Sequence, residues 1–178
     1  METQLILADL AGESSRAGQK ILLGPWCSPS SRDYPCIGPI IDSGTDIVRA
    51  SRYCRNVYEQ VLPKLSTTLN KQLSLDLDTE SYRLLLGNWL RNFVEATYDR
   101  YLHLHKALEL HPDLFVNFSL PNHLNLVLDY PDFQRALQTP LYNRYLCLQL
   151  LSKICSRYNA NFPVCESDRY VLKQFVQT

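Results

Sequence analysis

The sequence predicts a helix-rich α/β chain, with short N-terminal parallel strands followed by long packed helices. Two short apolar runs near the start, Leu5-Ile6-Leu7-Ala8 and Ile21-Leu22-Leu23, suggest buried strands, and Gly24-Pro25 closes the second of them. From about residue 45 onward, apolar side chains recur instead at three- and four-residue steps, the period of a helix with one buried face. With 178 residues, 46% of them apolar and 20% charged, the chain is long enough for one domain with a real core. The expected organisation is a single domain over 1–178, with a strand and loop region at 1–44 and a helical region at 45–178.

Composition limits the partners. Eighteen Lys and Arg balance eighteen Asp and Glu, so a globally basic surface for nucleic acid is not expected. Apolar runs never exceed four residues, so no transmembrane helix can be drawn. The start Met1-Glu2-Thr3-Gln4 carries no basic region ahead of a long apolar stretch, so no signal peptide is indicated and a cytoplasmic location is expected. Six cysteines (27, 36, 54, 147, 155 and 165) form no Cys-x-x-Cys pair, which favours reduced thiols over a disulfide framework or a zinc site.

Each element then follows from its own pattern. Residues 20–26 read as a strand entering a loop, and the Pro-, Gly- and Ser-rich stretch at 27–44 has loop composition. Ile47, Ser51, Cys54, Tyr58, Val61, Leu65, Leu69 and Leu73 form one helical stripe, capped by Thr45 or Asp46 and kinked or divided at Pro63. A second helix begins near Asp78 or Thr79 and runs to about Glu109, before His111-Pro112. Its stripe is Leu86, Leu90, Phe93, Thr97, Tyr101, Leu104 and Leu108, broadened by Leu85, Trp89 and Leu102. Short apolar stretches at 114–118 and 124–128 alternate with Pro and Asn. A third helix spans 140–158, with Tyr142, Leu146, Leu150, Ile154 and Tyr158 on one face. The helical spacing of Val171, Leu172, Phe175 and Val176 is unfinished at Thr178, which suggests the front part of a longer protein.

No nucleophile-elbow, zinc-protease, P-loop or dinucleotide motif is present. His103 and His105 lie two apart and would project about 200° apart on a helix, so they cannot grip one ion. Asp99 and His103 share a face, and a solvent-facing pair is the simplest reading. Asp76 and Asp78 flank a helix start, where capping explains them. Gly87-Asn88 inside a strongly periodic helix costs about 1 kcal/mol for the Gly alone. Either close helix packing or a ligand near the backbone should offset it. Arg83 can clamp a phosphate or carboxylate in a bidentate way, or be an exposed helix former. Trp26 and His123 sit beside Pro25 and Pro121-Asn122, in contexts that suit either a sugar or nucleotide pocket or a plain loop anchor.

Several segments, in order, resemble the N-terminal region of a family of transferases from bacterial surface-polysaccharide (O-antigen) gene clusters. Ile21-Leu22-Leu23-Gly24-Pro25-Trp26-Cys27 is similar to an apolar strand followed by Leu-Gly-Glu-Trp-Cys. Val57-Tyr58-Glu59-Gln60-Val61-Leu62, continuing to Leu69-Asn70, is similar to a Leu-Tyr-Glu-x-x-Leu and Leu-Asn segment. Ser81-Tyr82-Arg83-Leu84-Leu85-Leu86-Gly87-Asn88-Trp89-Leu90, then Tyr98-Asp99-Arg100, resembles Tyr-Trp-Arg-Ile-Leu-Leu-Gly-Pro-Trp-Leu followed at the same distance by Asp-Arg. Pro121-Asn122-His123 resembles Trp-Asn-His. The chain departs from the family at Pro25, Tyr82 and Asn88, and at Ile40-Ile41-Asp42, where the family has Trp-Asp-Asp.

The resemblance implies the N-terminal part of a two-domain glycosyltransferase-like fold. The activity it implies is transfer of an activated sugar, or a similar group, from a nucleotide sugar to a glycan-precursor acceptor. It further implies that family members are several times longer than this chain, with nucleotide-sugar binding in a C-terminal half, so that this portion is not active alone. Such chemistry needs a base near the acceptor hydroxyl and cations near the leaving diphosphate. Asp99 and His123 are the acceptor-side catalytic candidates. Trp26, Arg83, Trp89 and Arg100 are the substrate-binding candidates, and no metal or cofactor is expected. The alternative, from a different class, is a non-catalytic helical module that binds another polypeptide through the broad face at 86–108.

Overall fold

A computed structural model describes residues 3–7, 19–27, 34–111, 114–116 and 129–158. The elements are strands β1 (Thr3–Ile6), β2 (Gln19–Leu22) and β3 (Leu114–Val116) and helices α1 (Gly44–Leu73), α2 (Thr79–Leu110), α3 (Tyr130–Ala136) and α4 (Pro140–Tyr158). The chain divides into two compact units, one formed by Met1–Pro39 with Arg100–Thr178 and the other by Ile40–Asp99.

The first unit is built on a parallel sheet in the order β2-β1-β3. Thr3 pairs with Gln19 on one side and with Leu114 on the other, and the register continues to Ile6↔Leu22 and Leu5↔Val116. Ile21, Leu22 and Leu23 are all buried in succession, as in a strand covered on both faces. Leu114–Val116, at the head of the next apolar stretch, thus supplies a third parallel strand beside β1. At the other edge, Leu22 N–H donates to Pro35 O at 2.8 Å and Ile37 N–H donates to Leu22 O at 2.9 Å, which ties the predicted loop to the end of β2.

Helix α4 packs against the 3-10 turn Pro25–Cys27 and against α3. Its predicted bounds hold, but its buried face is wider than the predicted stripe: Asn143, Arg144, Cys147, Leu148 and Leu151 join Leu146 and Ile154. α3 is a short helix that the Pro- and Asn-broken pattern does not mark. Its N-cap Asp129 accepts from Asp132 N–H, Pro131 occupies its first turn, and Asp132 pairs with Arg135. Pro near a helix start fits because the missing N–H has no partner there anyway. Buried Phe133 then meets the edge of Tyr142, with ring centroids 6.1 Å apart.

The second unit is a helical hairpin of α1 and the part of α2 up to Asp99. α1 starts earlier than the predicted cap at Thr45 or Asp46, by two residues from the first of them. Ser43 is the N-cap: its Oγ accepts from Asp46 N–H at 3.1 Å and donates to the Asp46 carboxylate at 2.6 Å. Pro63 does not divide α1, which runs through it as one helix. The hairpin core is Cys54, Leu62, Tyr82, Leu90 and Val94, flanked by Val57, Val61, Leu65, Leu69, Leu86 and Trp89. Ile47, Leu73 and Leu85, predicted on or beside buried stripes, are exposed.

Candidate functional site

Two clusters gather the residues singled out by the sequence. The first lies just after the carboxyl end of β2, where open parallel sheets place their ligands. Leu23 and Cys27 are fully buried, and the 3-10 turn between them holds Trp26 half-buried. Gly24 is required here: a Cβ on it would stand 2.2–2.5 Å from three ring carbons of Trp26. The Arg100 guanidinium lies 3.7 Å from the Trp26 ring centroid, close enough for a strong cation–π contact. The His103 ring meets the same indole edge-on at 4.8 Å.

His103 is only 4% exposed, so the expected solvent-facing Asp99–His103 pair is corrected to a buried histidine packed on Trp26. The aromatic platform has drawn that face inward.

Asn143, 0% exposed, fixes the corner from α4. Its amide donates to Leu137 O at 2.7 Å and to Thr139 O at 2.9 Å, and its Oδ1 accepts from Arg100 Nε at 2.8 Å. With both amide hydrogens used, only the oxygen can face Arg100. Burial pushes the Cys27 thiol up to about 12, against the lowering pull of the backbone at Gly24 and Leu23 and of Arg100. A thiol held neutral in this way is a packing group and a poor nucleophile. Trp26 Nε1 is buried without a hydrogen-bond partner among the described residues.

The second cluster lies in the hairpin. Arg83 donates from both terminal nitrogens to the two Glu59 oxygens at 2.9 Å, while its Nε reaches Glu80 at 3.1 Å. Its guanidinium also sits 5.5 Å from the Tyr58 ring centroid. Hydrogen bonding to Arg83 holds the Glu59 carboxyl below its ordinary value, and the same bonds hold Arg83 charged. The Tyr58 hydroxyl stands 3.0 Å from where a Cβ on Gly87 would be, so Gly87 allows close packing of the helices. Trp89 stacks on Phe93 at 5.5 Å and packs against the hairpin core.

Asn70, which sequence reasoning passed over as chemistry, closes the hairpin loop. Its Nδ2 donates to Leu77 O at 2.8 Å, and its Oδ1 accepts from Leu77 N–H at 3.2 Å and from the Tyr82 hydroxyl at 2.7 Å. Ser74 ends α1 in the left-handed region at φ 54°, while Asp78 accepts from Ser81 N–H at 2.7 Å to start α2.

The fold therefore brings Trp26 and Arg100 together, and it commits Arg83 and Trp89 to the hairpin. Asp99 immediately precedes Arg100 on α2. His123 lies outside the described residues. The signal that could have found Asn143 is its place just beyond the end of α3, because the last carbonyls of a helix have no partner within it and Leu137 O is one of them. Among the described residues, no group of three or more His, Cys, Asp or Glu side chains could hold a metal ion. Among them, too, no helix is long and apolar enough to cross a membrane.

The segments that resemble family motifs pair in space: Tyr58 and Glu59 with Gly87 and Arg83, Asn70 with Tyr82, and Trp26 with Arg100. No curated protein matches the chain, and no solved structure matches it. A comparison with protein families matches residues 4–175 to the LIC12162 family transferase. With nearly its whole length matched, the chain belongs to this transferase family.

Proposed function

We propose that the chain is the N-terminal, acceptor-side portion of a cytoplasmic transferase of surface-polysaccharide (O-antigen) biosynthesis. It holds a glycan-precursor acceptor, while the donor nucleotide sugar is bound by a C-terminal half of glycosyltransferase-like fold, so the portion is not active alone. The observation that carries this reading is the Arg100 guanidinium held against Trp26 at the carboxyl end of β2. A cation fixed in orientation before substrate arrives stabilises developing negative charge without reorganising. Arg100 thus faces the anionic diphosphate of the precursor, and Trp26 sets the plane of the guanidinium. Asp99 and His123 are the candidates for the base that takes the acceptor proton. Arg83 and Trp89 act by holding the hairpin.

Thermal unfolding of the chain with diphosphate-linked glycan precursors and with nucleotide sugars tests this. A ligand that binds only the folded state raises the midpoint by mass action. The expected result is a rise with the precursor and little or none with a nucleotide sugar. A rise with nucleotide sugar alone would move the donor site into this chain, and no rise with either would overturn the reading.

One observation favours a helical interaction module as a second reading. Leu84 and Leu85 are adjacent on α2 and are 88% and 68% exposed. Capture of a polypeptide that is lost in a Leu84→Ser, Leu85→Ser variant would support that reading.

A further inference from the structure

Between α1 and α2, within the hairpin unit, runs a groove of about 400 Å³, within the range of small-molecule sites. Its walls carry three arginines, Arg55, Arg83 and Arg91, against two carboxylates, Glu59 and Glu95. Two of the cations are neutralised in place: Arg83 by Glu59 and Glu80, and Arg91 by Glu95 at 3.1 Å. Arg55 makes no hydrogen bond or ion pair among the described residues, and its one electrostatic relation there is a longer-range attraction to Glu59. The groove therefore presents one unspent guanidinium beside hydroxyl and amide groups from Ser51, Tyr58 and Asn88. Gly87 lines it as well, and here the helix forgoes about 1 kcal/mol of propensity. Part of that cost is explained by the Tyr58 hydroxyl, but a side chain at 87 would also fill the groove.

We propose that this groove is a second binding site, taking a sugar-sized, hydroxylated molecule that carries a single acidic group. Arg55 binds the acid, and Ser51, Tyr58 and Asn88 meet the hydroxyls. Arg83, already forked onto Glu59, positions the Tyr58 ring and does not itself bind the ligand. A carboxylate or a phosphate monoester satisfies the same chemistry, since guanidinium pairs with either in a planar fork. The site is independent of the corner at Trp26 and Arg100, because every residue lining it belongs to the hairpin unit.

Isothermal titration of the whole chain with glucuronate, glucose 6-phosphate, glucose and inorganic phosphate tests the proposal. Glucuronate or glucose 6-phosphate should bind, and which of them binds more tightly assigns the acid. Neutral glucose and bare phosphate should each bind more weakly, by roughly tenfold or more for loss of a charge-assisted contact or of the hydroxyl contacts. Arg55→Ala should weaken the acidic sugar by a similar factor. Arg52→Ala, on an exposed turn of α1 outside the groove, should not. Arg100→Lys should leave this binding unchanged, so that failure here is distinct from failure of the acceptor-site reading. The proposal is overturned if neither acidic sugar binds, if Arg55→Ala binds as well as the parent, or if Arg52→Ala loses as much.

Discussion

Replacing Asn143 with Ala removes three hydrogen bonds from a site that water does not reach. The lost partners are Leu137 O, Thr139 O and Arg100 Nε, at 2.7, 2.9 and 2.8 Å. Thr139 O keeps the backbone N–H of residue 143 at 3.2 Å, so the main loss falls on Leu137 O and on the orientation of Arg100. A buried group left unsatisfied costs roughly 1–3 kcal/mol, and a small cavity adds to this, for a total of about 3–4 kcal/mol. For a chain of this size that lowers the melting midpoint by about 6–16 °C. The sequence has two tryptophans, so a Trp89→Phe background leaves Trp26 as the reporter, and it sits in the same unit as Asn143. Urea unfolding followed by Trp26 emission gives the stability difference, and a shift in the native emission reports Arg100 leaving the indole. Asn143→Leu restores volume without the bonds and should recover less than half of the loss. Stability of Asn143→Ala within about 0.5 kcal/mol of the parent, the range of an ordinary surface change, would refute the reasoning. So would full recovery by Leu.

Four further outcomes follow from the same geometry. Gly24→Ala forces a methyl into the Trp26 ring and should displace the indole, seen as a red shift of its emission; an unchanged spectrum would contradict the packing described. Asn70→Ala should destabilise the hairpin by about 2 kcal/mol, measured by urea unfolding, because the loop and the Tyr82 hydroxyl lose a shared partner. Exposed Cys36 should react with a thiol reagent in the native chain well before buried Cys27. The Cys27 thiol is raised by burial from an ordinary 9.0 to about 12, so the unfolded chain gives up this proton first. Its contribution to stability is therefore intact below pH 9 and falls as pH rises from 9 towards 12, which Cys27→Ala should flatten in alkaline unfolding curves.

Long periodic segments were legible because many side chains repeat the same signal. The bounds of α4 match the reading at 140–158, and α2 differs from its reading by a residue or so at each end. Short elements carry too few repeats to register. β3 has three residues, and its partner β1 lies far from it in sequence, so pairing could not be read from local pattern. α3 has seven, and Pro131 reads as a breaker unless its place in a first turn is known. Leu62, beside Pro63 and off the predicted stripe, is fully buried in the hairpin core.

The candidate site followed the same rule. Trp26 and Arg100 could be singled out by residue type, but their contact joins positions far apart in sequence, which no local pattern encodes. Arg83 clamps a carboxylate in the bidentate way its residue type allows, but that carboxylate is Glu59 of its own hairpin, a pairing across two helices that local spacing does not encode. His103 went inward because Trp26 offers it a ring edge, which no local spacing encodes.

The most direct test of the acceptor-site account is a titration of Trp26 emission, in the Trp89→Phe background, with a diphosphate-linked glycan precursor. The account predicts a saturable change that Arg100→Lys weakens by roughly tenfold or more, because lysine keeps the charge and loses the planar fork. A flat titration would contradict it, as would saturable binding that a folded Arg100→Lys variant leaves unchanged.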